Sequence, residues 1–423
     1  MGHYVVEGGH KISGEFTVHG SKNACLPILA ATLLAEDEVV LENCPNISDF
    51  NQTIAILERL GCTITQENRT YTIDTSKIDS VEIKEETVQK MRSSILFLGA
   101  LLGRTKKAIL GYPGGCTIGK RPIDLHLNSF EKMGICIEEE DGFLHCSTSH
   151  ILGYHIYLPY PSVGATENIL LLAVKAEGAT VIHNAAQEPE IVALAEFLRR
   201  CGGEIYGAGT STIFIEGVTK LHGTNFCFPF DRIEATTLLC ASAMTGGDIA
   251  LAGVEISHMS ATLDVFEKIG CIWQQKGNWL TMEPPKQLYS NLTIKTGPFP
   301  LFPTDAQPFF ASLLTLAEGT CMIIETVFEQ RFRHCKELCK MGAQIDINGQ
   351  RAKIYGNAHL MGTEVYGTDL RGTAALILAG FAAEGTTTIH GAEFVERGYE
   401  DITGMFTSLG GQIQLLESCH ESK

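Results

Sequence analysis

Between Leu110 and His126 the chain reads LGYPGGCTIGKRPIDLH and carries one thiol, Cys116. Gly111, Gly114, Gly115 and Gly119 make this stretch pliable, and Pro113 interrupts any regular element. Lys120, Arg121 and His126 follow and surround the sulfur with positive charge. Cations near a thiol favour the thiolate and lower its pKa. Such a group can attack as a nucleophile or, when protonated, hand over a proton. The plainer reading is a loop cysteine without a role, one of 14 in the chain. Asp124, just past the basic pair, reads as the N-cap of a helix that ends at Gly134.

A carboxylate and three arginines form a second group. LFPTDAQPFF places Asp305 at the start of an apolar helix, where Thr304 and Asp305 also read as ordinary N-caps. TVFEQRFRH, GTDLRGTAAL and VERGYEDI supply Arg331, Arg371 and Arg397. Lone arginines are usually surface groups, but an array on capping or glycine-rich turns suits a multiply charged phosphate or carboxylate.

The elements that must position these groups repeat. LERLGCTI, FEKMGICI, FLRRCGGEI, FEKIGCIW, LCKMGAQI and FTSLGGQI each end a helix in glycine and begin a strand, at Gly61, Gly134, Gly202, Gly270, Gly342 and Gly410. A left-handed glycine just past a helix C-terminus explains the residue type. Alternation such as YTIDT then predicts the second strand of a hairpin. Half a unit earlier stands a helix that is apolar nearly all round, as in NACLPILAATLL or ATENILLLAV, and such a helix belongs inside. The fold expected is therefore α/β, with six units of about 70 residues and three units in each of two domains.

Down the six copies, the residues at the start of the buried helix are Lys22, Arg92, Gly164, Arg232, Asp305 and Arg371. A cation there opposes the helix dipole. Four such cations in six copies predict that the helix starts gather around an anion.

The bulk numbers bound the function. Lys+Arg 32 against Asp+Glu 49 gives a net charge of −17, which repels nucleic acid and anionic membranes, so an anionic ligand needs a local cationic site. The longest apolar runs, such as AALILAGFAA, are too short to cross a bilayer, and MGHYVVEGGHK lacks the core of a secretory signal. A cytoplasmic protein with reduced thiols is expected. Cys335 and Cys339 sit one turn apart without a second pair, so no structural metal is expected. Neither a glycine-rich nucleotide fingerprint nor a lysine aldimine motif is found, which predicts no cofactor. No obligate protein partner is evident.

Nine blocks in order, SKNACLPILA, KMRSSIL, PGGCTIGKRPIDLH, PSVGATENI, NAAQEPEIV, FPTDAQ, ETVFEQRF, TDLRGTAAL and ERGYE, resemble the enolpyruvyl transferase family, in its branch acting on UDP-N-acetylglucosamine. The resemblance runs from Val6 to about Glu417. It implies transfer of enolpyruvyl from phosphoenolpyruvate to the sugar 3-hydroxyl, with release of phosphate, through addition and elimination. It also implies two inverse α/β barrel domains, 21–230 with the Cys116 lid loop and 1–20 plus 231–423, and an active site in the cleft between them.

By motif, Lys22, Asn23, Arg121 and Arg397 match phosphoenolpyruvate contacts. Arg92, Arg121, Pro122, Ile123, Asp124, Leu125, Ser162, Val163, Gly164, Asp305 and Val327 match the sugar-nucleotide site. The family's counterpart of Asp305 takes the proton from the attacking hydroxyl. That of Cys116 protonates the enol methylene, forms a pyruvyl adduct, and is alkylated by fosfomycin. Arg331, Asp369 and Arg371 match residues that hold the closed form, while Glu188 and Glu190 match an outer layer.

The chain departs from the family pattern in three places. Phe299 and Phe394 stand where many members have histidine, and Tyr160 and Pro161 stand where some place lysine. Three rival readings exist: the sister transferase acting on shikimate 3-phosphate, which lacks the lid thiol; a thiol redox sensor, which would want a resolving cysteine; and a silent or regulatory paralogue that binds sugar nucleotide.

Overall fold

The computed structural model describes residues 2–83, 91–112, 118 and 123–417. The chain divides into two compact units. One lies between Gly20 and Pro229; the other joins Met1–His19 to Phe230–Lys423 and counts Ile118 with it.

The first unit holds helices α1 (Lys22–Thr32), α2 (Ser48–Arg59), α3 (Leu96–Thr105), α4 (Asp124–Lys132), α5 (Val163–Ala173) and α6 (Pro189–Arg200). The apolar helices α1, α3 and α5 pack on one another, and the amphipathic α2, α4 and α6 lie against them. Nearly every residue of the three inner helices is buried, which is why their sequences show no polar face.

The second unit repeats the plan with α7 (Arg232–Thr245), α8 (Ser260–Lys268), α9 (Gln307–Leu314), α10 (Arg333–Lys340), α11 (Leu370–Ala382), α12 (Ala392–Val395) and α13 (Ile402–Ser408). Its inner helices are α7, α9 and α11. Each unit has its own hydrophobic core.

Among the described residues the strands form six sheets, one per repeat. Each begins with a parallel edge strand, as His155–Tyr157 beside Ala179–His183, and continues into an antiparallel hairpin, as Glu204–Tyr206 with Thr212–Glu216. In the sixth repeat, the strand His3–Glu7 takes the hairpin position and pairs antiparallel with both Thr386–His390 and Gln412–Leu416. The N-terminal strand thereby completes the second unit's last sheet.

The repeat glycines behave as their position past a helix end requires: Gly61 has φ 105° and Gly342 φ 106°, and the other four also have positive φ. A different glycine recurs after the last hairpin strand, where the backbone passes over the C-terminal end of the inner helix. A Cβ at Gly356 would lie 1.6 Å from the Ala317 carbonyl oxygen, and one at Gly217 would lie 1.7 Å from that of Ala176. In the first repeat, Thr75 stands there instead, and its hydroxyl donates to the Ala35 carbonyl at 2.8 Å.

Gly356 has no left-handed φ, so its requirement is space alone. Gly356→Ala is expected to lose roughly 1–3 kcal/mol through overpacking. Thermal unfolding followed by circular dichroism should show a Tm several degrees lower with an unchanged spectrum at 20 °C; an unchanged Tm would refute the packing argument.

Candidate active site

In the first unit, α1 begins at Lys22, and Ser21 caps it by accepting the Ala24 N–H. Lys22 is only 8% exposed. Its ammonium group is held by Oδ2 of Asp49, a buried carboxylate in the first turn of α2. The lysine expected to meet an outside anion thus has an anion of its own chain. Asp49 was not legible as a site residue, because its letters SDF look like any helix start. Asn23, the next residue on α1, is half-buried.

Arg92 is half-buried and opens the turn Arg92–Ile95 that runs into α3. Beside it, His126 of α4 is buried. The Asn168 amide of α5 donates to the Ile95 carbonyl at 2.9 Å and lies 3.0 Å from His126 Nδ1, while its oxygen accepts the Gly99 N–H at 2.9 Å. With the amide hydrogens so used, Nδ1 accepts and the ring proton sits on Nε2. Burial, aided by the Arg92 charge, pushes the His126 pKa down to about 4. His126 is therefore neutral near pH 7, which corrects the expectation that it adds positive charge around the thiol.

Asp124 is not the N-cap expected. It is the exposed first residue of α4, with buried Ile123 before it, and no side chain caps this helix. Leu125 is half-buried. Cys116, Arg121 and Pro122 lie outside the described residues.

Ser162 caps α5 by accepting the Ala165 N–H at 3.3 Å, and Val163 and Gly164 form the first turn. Gly164 leaves room for the histidine: a Cβ there would lie 3.4 Å from His126 Cε1. One turn on, Glu167 is buried, and burial, then the charges of Glu190 and Glu188, pushes its carboxyl well above the usual range. Glu188 and Glu190 were expected as an outer layer; Glu167, whose carboxyl their charges help to push up, was hidden inside an apolar-looking helix.

In the second unit, the carboxylate of Asp305 receives two arginines. Arg331 Nη2 donates to Oδ1 at 2.9 Å, and Arg371 Nε donates to Oδ2 at 3.3 Å. Both arginines are 3% exposed, against 26% for the Asp305 side chain. The carboxylate thus offers its open side to solvent while its rear is fixed by two buried cations. Neither Thr304 nor Asp305 caps α9, contrary to the ordinary reading of TD before a helix; the Thr304 hydroxyl donates to Glu325 Oε2 at 3.0 Å instead.

Arg371 also lies over the Tyr399 ring at 5.8 Å, and Tyr399 Oη is 2.7 Å from Thr237 Oγ1. Asp369 caps α11 through the Gly372 N–H at 3.0 Å. The Val327 N–H donates to Glu325 Oε1 at 2.8 Å. Arg397, just after α12, is half-buried. Phe299 lies under the Arg232 guanidinium at 5.9 Å, so an aromatic face occupies this departure from the family pattern.

Among the described residues, no group of three or more His, Cys, Asp or Glu is arranged to hold a metal ion. The described cysteines are free, and burial pushes Cys62, Cys146, Cys201 and Cys271 up to about 12.

Known proteins are similar to this chain over nearly its whole length. The family profile described as EPSP synthase (3-phosphoshikimate 1-carboxyvinyltransferase) matches residues 6–406. UDP-N-acetylglucosamine 1-carboxyvinyltransferase 2 of Caldanaerobacter subterraneus subsp. tengcongensis is 45% identical over 413 residues, covering 98% of this chain and 99% of the relative. UDP-N-acetylglucosamine 1-carboxyvinyltransferase of Lawsonia intracellularis is 44% identical over 414 residues, covering 98% and 99%. Among solved structures, the enolpyruvyl transferase NikO from Streptomyces tendae superposes with a TM-score of 0.90 at 25% identity, covering 99% of both chains. EPSP synthase from Acinetobacter baumannii shares the fold, with a TM-score of 0.78 at 20% identity over 99% of this chain and 100% of that one.

The His126 shift makes stability depend on pH. As pH falls through about 6.5 the unfolded chain takes up a proton at this residue, but the folded protein does so only near 4. The folded state therefore loses the His126 contribution between those values and keeps it fully above them. Glu167, with its raised carboxyl, acts in the opposite sense, so the two must be separated by mutation. The Tm difference between wild type and His126→Gln should shrink from pH 7.5 to pH 5; a constant difference would show that His126 does not titrate abnormally.

Proposed function

The chain belongs to the enolpyruvyl transferase family described by EPSP synthase, and from that premise we propose its substrates and the work of its residues. It transfers the enolpyruvyl group of phosphoenolpyruvate to the 3-hydroxyl of UDP-N-acetylglucosamine and releases phosphate, the step that opens peptidoglycan synthesis. The observation that carries this reading is identity of 42–45% over nearly the full chain to relatives bearing that enzyme's name.

The chemistry is addition followed by elimination. The sugar O3 bonds to C2 of phosphoenolpyruvate while C3 gains a proton, giving a tetrahedral phosphoketal. Loss of a C3 proton and of phosphate then leaves the enol ether.

In this scheme Asp305 accepts the hydroxyl proton. Arg331 and Arg371 favour its ionised form and fix its direction, which is what a general base needs before it can act. Cys116 supplies the proton to C3, can hold a pyruvyl adduct, and is the site where fosfomycin alkylates. Lys22, Asn23, Arg121 and Arg397 contact phosphoenolpyruvate, and Asp49 holds the Lys22 ammonium in place. Arg92, Arg121 to Leu125, Ser162 to Gly164, Asp305 and Val327 contact the sugar nucleotide. Neutral His126, with its proton on Nε2 beside Gly164, is a hydrogen-bond donor next to that set. Arg331, Asp369 and Arg371 hold the working form. A nucleotide-sugar substrate and a nucleotide-linked cell-wall precursor as product support a cytoplasmic location.

Phosphate release from phosphoenolpyruvate tests the reading, with UDP-N-acetylglucosamine and shikimate 3-phosphate supplied separately. Release with the sugar nucleotide alone is expected. Release with shikimate 3-phosphate would identify the sister reaction, and release with neither from folded protein would identify a silent paralogue.

Cys116→Ser should abolish covalent labelling by fosfomycin; labelling that persists at another cysteine would remove Cys116 from its role. Asp305→Ala should slow turnover more than about tenfold at unchanged circular dichroism, and a near-normal rate would remove it as the base.

A further inference from the structure

Glu325 follows the strand Glu318–Ile324 and is completely buried. Four donors fill its carboxylate. Oε1 accepts the Val327 N–H at 2.8 Å, the Phe328 N–H at 3.2 Å and the Thr296 hydroxyl at 2.9 Å. Oε2 accepts the Thr304 hydroxyl at 3.0 Å. A buried carboxylate without such partners would be strongly unfavourable, whereas one with four is a rigid junction.

The donors come from three separate segments. Val327 and Phe328 belong to the turn that leads to Arg331. Thr296 follows the strand Thr293–Lys295, and it is tied again to the same turn: its hydroxyl accepts the Thr326 N–H at 2.9 Å and its carbonyl accepts the Thr326 hydroxyl at 2.7 Å. Thr304 immediately precedes Asp305. The circuit closes on the far side, because Arg331, six residues after Glu325, donates to Asp305 Oδ1 at 2.9 Å. Asp305 is therefore held between two contacts that start from one short segment, 325–331.

We propose that Glu325 is a positioning residue for the transfer reaction. Through Thr304 it sets where the Asp305 carboxylate stands relative to the Val327 backbone, and so aligns the proton acceptor with the sugar nucleotide. This rests on the role given to Asp305 above. A carboxylate displaced by a fraction of an ångström loses alignment with the hydroxyl, and misplacement on that scale costs rate far more than it costs fold stability.

Thr304→Val removes the hydroxyl at nearly constant volume, and Thr304→Ser restores it. Expected for Thr304→Val is a fall in kcat of about tenfold or more, with the KM for phosphoenolpyruvate kept within about twofold and Tm within a few degrees. Thr304→Ser should recover most of the loss. A purely structural role would lower Tm and the active fraction, leaving turnover per active molecule unchanged.

Amide hydrogen exchange gives a reading that needs no substrate. In Thr304→Val, and also in Glu325→Gln should the former fail to fold, exchange should rise together at 304–307 and 326–328. Turnover of Thr304→Val within about twofold of wild type, or exchange that rises in only one of the two segments, would overturn the proposal. Wild-type protein that turns over neither acceptor would instead overturn the assigned reaction, and the exchange result would still decide whether Glu325 joins the two segments.

Discussion

Lys22 and Arg371 stand at the starts of inner helices whose dipoles oppose them, and both are almost removed from water. A charge in that position persists only if a carboxylate answers it, because the desolvation cost of an unpaired buried cation is several kcal/mol. Asp49 answers Lys22, and Asp305 answers Arg371 and Arg331 together. In each unit the charged residues at the helix starts are organised by this requirement. Each cation is fixed by a neighbour on another element, which sets its direction. Asp305 is shared by two guanidinium groups, and Arg371 also feels the charge of Asp231, so the cations are answered locally in a chain of net charge −17.

The repeated plan separates stability from chemistry along each inner helix. At the C-terminal end the chain packs backbone against backbone, and glycines at 217 and 356 are there because a carbonyl oxygen occupies the place of a side chain. At the N-terminal end the repeats diverge into Lys22, Arg92, Gly164, Arg232, the Asp305 turn and Arg371. Backbone N–H groups at a helix start have no partner within the helix and are answered by side chains such as Ser21, Ser162 and Asp369, so residues there can vary without disturbing the packing below. Six nearly equivalent positions thus became six different tools on one scaffold.

Burial also sorts the titratable groups. His126 is held neutral, and burial pushes the Glu167 carboxyl towards its uncharged form, so both shifts oppose charge in the first unit's interior. Burial pushes the Cys62 and Cys201 thiols up to about 12, so they stay protonated and unreactive at neutral pH. Thiol chemistry in such a protein belongs to a cysteine outside the core, as the Cys116 loop is by its sequence.

The sequence by itself determined the architecture and the cast of residues. The six glycine-ended helices, the apolar inner helices and the hairpin alternation are local periodicities, and local backbone physics turns each directly into an element. Lys22, Asp305 and the arginines were visible because a charge beside an apolar run is conspicuous. Only the tertiary structure decided who answers whom. Asp49 lies 27 residues from Lys22 and Arg371 lies 66 from Asp305, and no spacing rule links such pairs. Thr304 and Asp305 kept every local mark of a helix cap and were taken instead by Glu325, Arg331 and Arg371. His126 carries an imidazole that sequence reads as a potential cation, yet its charge state depends on burial and on Asn168, which only folding brings together. Contacts within one turn are written in the chain; the charge state and aim of a buried group are set by neighbours that the chain reaches only after it has folded.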